Sequence, residues 1–249
     1  MSRLQFVCLG VGDAFSARWY SSALAVGYGD SWLLVDCPHP IRKILREAGA
    51  TAGIHLDVDR FAGVALTHLH ADHASGLEDW GFYSLFALKR KTALLTHPEV
   101  ARDLWDRHLA ATMGALPTAP GGPVRPMELT DYFDLSPLRE EAPTAFGPFA
   151  IECRRTLHPI PTFALRLRAG GRLLGLSADT AFDPALIAWL AEADLIVHET
   201  NRGLHTPYEK LAALPEALRR KMRLIHYPDD FDVAGSLIEP LRQGGLYHV

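Results

Sequence analysis

Cysteine is scarce in this chain. Its three thiols, Cys8, Cys37 and Cys153, are an odd number without metal-type spacing, which argues against both a disulfide framework and a thiolate metal site. Each lies in or beside an apolar, strand-like run, as reduced and buried thiols of a cytoplasmic protein do. Charge of one sign is missing as well. The 25 basic residues face 29 acidic ones, so bulk electrostatics give no pull towards nucleic acid. Long apolar runs are absent: no stretch could span a bilayer, and Met1 to Leu9 lacks the apolar run of a signal peptide. A cytoplasmic location away from membranes is therefore expected.

What the chain does have is length and pattern enough for a full core, with 48% hydrophobic residues over 249 positions. No internal period suggests a solenoid. The pattern predicts one compact domain over 1–249, of two β-rich halves with helices outside. Strands are expected at Leu4–Leu9, Ala23–Val26 and Ser31–Asp36, then a helix from Pro40 to Ala48 stopped by Gly49. Gly76 to Lys91 carries an aromatic stripe suited to core or a dimer face. His97-Pro98 opens a helix through Leu109, with His97 and His108 read as structural. Gly114 to Pro148, rich in proline and acids, reads as a loop-like insertion and a candidate lid over the site, contributed by a dimer partner. Beyond Ile225 the tail reads as a final helix and strand.

The chemistry concentrates at Thr67-His68-Leu69-His70-Ala71-Asp72-His73, directly after the apolar run Phe61 to Leu66. Three imidazoles and a carboxylate within six positions, at the end of a buried strand, suit divalent metal ions. His68 and His70 can serve one ion, and Asp72 and His73, past the turn, a second. Three further candidates stand where other apolar runs stop: His158, Asp179 after Leu173–Leu176, and His226 after Leu224-Ile225. Each alone would read as an ordinary structural residue.

Together, His68-x-His70-x-Asp72-His73, His158, Asp179 and His226 resemble the metallo-β-lactamase superfamily, which implies an α/β (α+β) chain folded as a four-layer αβ/βα sandwich. The resemblance implies that His68, His70 and His158 hold one ion, that Asp72, His73 and His226 hold the other, and that Asp179 bridges them. Zinc is the expected metal, with manganese or iron compatible with the same donors. Gly10-Val11-Gly12-Asp13-Ala14-Phe15 is similar to the first strand and loop of the ribonuclease Z-like phosphodiesterase branch. Asp194 to Thr200 resembles that branch's His-Glu-Ala-Thr motif without the Ala, and His205-Thr206 its His-Ser-Thr motif without the Ser. Two further departures are Tyr20-Ser21-Ser22 in place of an Asn-Thr-Ser type sequence, and Ala178 where Gly is usual.

The implied activity is hydrolysis of a small phosphodiester, with two ions clamping the phosphoryl oxygens and sharing a bridging hydroxide. Asp72 would orient or deprotonate the nucleophile, and His205, oriented by Glu199, would protonate the leaving group. Arg18, Trp19 and Tyr20 are expected at the mouth of the site as substrate contacts. The first substrate expectation is a cyclic nucleotide, as for the cyclic-nucleotide phosphodiesterases of this branch, including anti-Pycsar enzymes that open cyclic pyrimidine monophosphates. The second is tRNA 3′-end processing. A tRNA enzyme of that kind carries a basic arm, whereas here Arg125 and Arg139 are outnumbered by Glu128, Asp131, Asp134, Glu140 and Glu141. A thioesterase-type hydrolase fits His198-Glu199-Thr200 less well, and a secreted β-lactamase commonly has Cys where Asp179 stands. A small phosphodiester substrate and a homodimer are the expected partners, with no membrane, and nucleic acid enters only through the tRNA alternative.

Overall fold

The computed structural model describes residues 2–249. The chain opens with β1 (Leu4–Gly10), antiparallel to β2 (Ala23–Tyr28), which turns through Gly29-Asp30 into β3 (Ser31–Val35). A two-residue turn matching the strand twist needs positive φ, and Gly29 supplies it at 61°. α1 (Ile41–Ala52) buries Ile41, Ile44, Leu45 and Ala48, the spacing of one helical face. It runs past the expected stop. Gly49 lies inside the helix, where a Cβ would stand 2.5 Å from the Ile54 carbonyl oxygen, and the left-handed cap is Gly53 at φ 70°.

β4 (Phe61–Ala65) lies parallel to β3 and leads into α2 (Ala71–Ala74) and α3 (Leu77–Tyr83). The aromatic stripe divides: Trp80 is fully buried against Phe61, whereas Phe86 is largely exposed. β5 (Thr92–Thr96) joins β4, and α4 (Pro98–Leu104) continues through a wider turn into α5 (Ala110–Met113), beyond the expected end at Leu109.

The segment 114–148 is not the loop expected from its composition. A short exposed hairpin of β6 (Ala115–Pro117) and β7 (Val124–Pro126) is followed by α6 (Leu129–Tyr132) and β8 (Phe133–Pro137). β8 pairs in parallel with β5, and Tyr132, Phe133 and Leu138 are buried. β8, led in by α6, thus extends the first sheet, while the β6–β7 hairpin and the 139–143 loop lie exposed.

β9 (Thr144–Phe146), β10 (Phe149–Arg155), β11 (Phe163–Ala169) and β12 (Arg172–Leu176) form an antiparallel run. α7 (Pro184–Leu190), capped by Asp183, crosses to β13 (Leu195–Glu199), and α8 (Tyr208–Ala212) and α9 (Glu216–Arg219) lead to β14 (Met222–Ile225). β12, β13 and β14 are mutually parallel. The tail holds no helix. It turns back to pair β15 (Leu246–His248) with β1.

The result is a seven-stranded sheet, β15-β1-β2-β3-β4-β5-β8, and a six-stranded sheet, β14-β13-β12-β11-β10-β9, around one continuous apolar core. α1 lies on the first sheet, and α7 sets Leu190 over Gly175 of the second. Parallel strands bring their carboxyl ends to one edge. Val35 pairs with Ala65, Leu176 with Val197 and Glu199 with Ile225, so the residues that follow these strands emerge together. Among the described residues no helix is long and apolar enough to cross a membrane.

Candidate metal centre

Beyond β4 the backbone stays extended through Thr67 and His68 before His70 caps α2, which places His73 one turn further on. His68 and His73 are buried, with ring centroids 4.2 Å apart. Asp36, immediately after β3, organises both. Its carboxylate accepts the Thr67 N–H at 2.8 Å and the Thr67 hydroxyl at 2.9 Å, and lies 2.8 Å from His73 Nδ1. Since the Thr67 hydroxyl proton goes to Asp36, its oxygen accepts from His68 Nδ1 at 2.9 Å. Both rings are thereby fixed with Nδ1 protonated and with Nε2 facing the cluster. Asp36 and Thr67 were not singled out from the sequence. The one signal was an aspartate at a strand end, without a neighbouring donor to mark it.

His158, Asp179 and His226 reach the same place from the second sheet. Their donors form two groups that share Asp179: His68, His70 and His158 on one side, and Asp72, His73 and His226 on the other. His158 Nε2 is 3.1 Å from His70 Nδ1, and His68 Nε2 is 3.6 Å from Asp179. His73 Nε2 lies 3.3 Å from both Asp72 and Asp179, and His226 Nε2 lies 3.2 Å from Asp72 and 3.6 Å from Asp179. Donors bound tetrahedrally at zinc-type distances stand about 3.3 Å apart, so these spacings match a coordination shell. His68 Nε2, His73 Nε2 and the Asp179 Oδ1 atom are buried without hydrogen-bond partners. Buried donors and acceptors are seldom left so, and the donor set fits divalent cations.

Charge within the cluster is uneven. Burial holds His68 well below its ordinary range and brings His158 down to about 4, so that side is neutral and ready to ligate. On the other side burial also disfavours charge, but Asp179 and the neighbouring carboxylates outweigh it. They raise His73 well above its ordinary value and His226 to about 8. Burial would raise Asp72, yet the hydrogen bond from His226 and the His73 ring beside it hold it well below the carboxylate range. Without metal, protonated imidazoles balance the two carboxylates.

Glu199 ends β13 and is buried. One of its oxygens accepts the Thr180 N–H at 2.9 Å and meets His205 Nδ1 at 3.0 Å, leaving His205 Nε2 as the free nitrogen. Burial disfavours the charged His205 ring, but Glu199 more than offsets this and the net shift is upward. A cleft of about 580 Å³ over the cluster is lined by His70, Asp72, Asp179, His205, His226 and Phe15.

Arg18, Trp19 and Tyr20 do not line this cleft. Arg18 lies over the Trp19 ring and donates to the Asp229 carbonyl, while the Tyr20 hydroxyl reaches away to Glu47 on α1 at 2.8 Å. The residues of that loop that do face the cleft are Ala14, Phe15 and Ser21, and Phe15 is the aromatic one. His97 caps α4 and stacks on Phe163, and His108 belongs to none of the donor groups. The three thiols are free and buried, and burial pushes Cys153 up to about 12, which leaves no nucleophilic cysteine.

The family described as "Anti-Pycsar protein Apyc1" matches residues 4–237. A relative of that name from Paenibacillus sp. (strain J14) is 29% identical over 257 residues, covering 98% of both chains. Among solved structures, the metallo-beta-lactamase fold protein YhfI from Bacillus subtilis superposes with a TM-score of 0.77 at 18% identity, over 99% of this chain and 100% of that one. The short form of human tRNase Z superposes with a TM-score of 0.69 at 20% identity, over 98% of each. The fold is that of the metallo-β-lactamases.

Two outcomes follow from the geometry. Asp36→Asn removes the charge that orients His73 and, through Thr67, His68; metal affinity should fall about 10–100-fold, read by competition with a chromogenic chelator. An unchanged affinity would remove Asp36 from its orienting role. His226 at about 8 is largely protonated at pH 7 in the metal-free protein, and only the neutral ring ligates. Metal uptake at pH 7 should therefore release protons, and affinity should fall as pH drops below 8. Calorimetry in buffers of different ionisation enthalpy measures this, and identical heats in all buffers would contradict it.

Proposed function

The chain belongs to the anti-Pycsar Apyc1 family, and from that premise we propose that it is a metal-dependent phosphodiesterase that hydrolyses a small cyclic nucleotide. The observation that carries the reading is the pair of four-donor groups sharing Asp179 on the floor of a cleft whose rim holds His205. Two divalent ions, zinc or with the same donors manganese or iron, would be held by His68, His70, His158 and Asp179 and by Asp72, His73, His226 and Asp179. Bound there, they supply charge neutralisation for a phosphoryl group and a nucleophilic water at neutral pH.

The chain's own side chains do the rest. Asp72 stays ionised because His226 hydrogen-bonds to it and the His73 ring lies 3.3 Å away, so it can orient a nucleophile and accept its proton. His205 is raised by Glu199 and keeps its Nε2 free, which suits it to give a proton to the departing alkoxide. Glu199, anchored by the Thr180 N–H, fixes the ring orientation. Size supports a small substrate, since about 580 Å³ is in the range of pockets that enclose ligands of mononucleotide size. Charge supports it too: the exposed β6–β7 hairpin, Ala115 to Pro126, offers one basic residue, Arg125, and Arg125 lies 3.8 Å from Asp131. That is a poor grip for a tRNA backbone. A homodimer without nucleic acid or membrane partners belongs to the same proposal.

Assay of the metal-loaded protein on 3′,5′-cyclic mononucleotides beside a pre-tRNA tests the substrate. Turnover of the cyclic nucleotides is expected, and cleavage of the pre-tRNA alone would reverse the ranking. His205→Ala should lower kcat/KM about 10²–10⁴-fold on a cyclic nucleotide, whose alkoxide needs a proton. On bis(p-nitrophenyl) phosphate, whose leaving group departs unprotonated, the loss should be far smaller. Equal losses on the two would remove His205 as the acid.

A further inference from the structure

Phe15 is 92% exposed, the highest value among the exposed large apolar side chains of the described residues. An apolar ring left in water is usually on a loose loop, and this one is not. The Phe15 N–H donates to Asp13 Oδ1 at 2.9 Å, and Asp13 Oδ2 accepts from Asn201 Nδ2 at 2.8 Å. On its other side Ser16 Oγ donates to the Asp229 carboxylate, which also accepts the Ala17 N–H at 2.8 Å. The loop doubles back so closely that a Cβ on Gly12 would stand 2.6 Å from the Ser16 Cβ. Two other segments of the chain thus hold this backbone while its ring projects freely.

The ring borders two adjoining cavities. One is the cleft over the cluster, and the other, of about 430 Å³, is lined by Phe15, His205 and His226 together with Asn201, Arg202 and Asp229. Apart from the two histidines, the polar side chains of that second cavity already have partners. Asn201 Oδ1 accepts the Arg202 N–H at 2.8 Å, and Arg202 is paired with Asp230 at 2.7 Å. The Asp229 oxygens are occupied by Ser16 and Ala17. What is left free beside the cluster is an aromatic face, and an aromatic face recognises another planar ring.

We propose that Phe15 is a substrate-binding residue that stacks on the nucleobase while the phosphoryl group lies over the ligand cluster. It thereby sets the preference for nucleotides over phosphodiesters that carry no base. This deepens the cyclic-nucleotide reading and rests on it. The position also explains why Arg18, Trp19 and Tyr20, three residues further along the same loop, do not serve: they are spent on Asp229, on each other and on Glu47.

The test compares wild type, Phe15→Ala and Phe15→Trp as metal-loaded proteins. Two substrates are used, a nucleoside 3′,5′-cyclic monophosphate and the base-free methyl riboside 3′,5′-cyclic phosphate. Phe15→Ala should reduce the ratio of kcat/KM on the nucleotide to that on the riboside about tenfold, through KM, and Phe15→Trp should keep the ratio near wild type. In parallel, a nucleoside 5′-monophosphate and ribose 5-phosphate are titrated into each protein, and Phe15→Ala should weaken the first about tenfold more than the second. Equal losses on both members of either pair, or no loss on the nucleotide, would overturn the proposal. Should wild type turn over no cyclic nucleotide, the functional reading falls, and the titration pair still decides for or against Phe15.

Discussion

Five imidazoles and two carboxylates share one buried volume, and that convergence is tolerable only while positive charge sits among them. Asp179 is the centre of the constraint, 3.3 Å from His73 and 3.6 Å from both His68 and His226. In a low-dielectric interior, lone pairs brought this close repel one another, and unpaired ones forgo hydrogen bonds they would make in water. Protons on His73 and His226 are a partial remedy. They do nothing for His68 Nε2, buried with no partner. Divalent cations would remove the conflict on both sides at once, so the packing that excludes water also suits them.

Such a cluster needs a frame that resists relaxing, and the ends of two sheets provide it. Three non-glycine residues of the site adopt positive φ: Asp36 at 60°, Ala178 at 50° and His226 at 60°. The left-handed region costs an ordinary residue roughly 1–2 kcal/mol, and each of these sits where backbone hydrogen bonds leave no alternative. The Asp36 N–H is tied to Ala65 and the Ser177 N–H to Val197, while Tyr227, just past His226, is tied to Val11. Ala178 explains a departure visible in the sequence. The position usually held by Gly in this branch requires left-handed backbone, and here an alanine accepts the strain while still delivering Asp179.

The ligands were legible because their chemistry is improbable where it stands. One histidine or aspartate after an apolar run is ordinary, but seven of them at such ends, four within six positions, are not, and parallel register carries such residues to a common edge. Asp36 obeyed the same rule but stood alone, and its importance depends on Thr67 and His73, which only folding brings to it. Strand β8 was hidden for a related reason. Phe133 to Pro137 contains an aspartate and a proline, and it is a strand because β5 offers it a partner, not because of its own propensity. Gly49 misled as a helix stop, since a buried glycine can serve close packing as readily as a cap. For the mouth of the site, loop composition identified the right segment and the wrong residues, because hydrogen bonds to Asp229 and Glu47 decide which side chains turn outward.

Floor and rim therefore answer to different constraints. The floor is fixed by sheet register, buried charge and strained backbone, and a change there disturbs several ligands together. The rim is a separate unit. Asp13 to Asn201, Ser16 to Asp229 and Arg202 to Asp230 tie three loops to one another rather than to the metal ligands. His205 and His226 belong to both, His205 through Glu199 below and the open cleft above, and His226 as a donor that also lines the rim cavity. A protein built this way can change what its cleft admits by exchanging rim side chains while the donor cluster below stays in place.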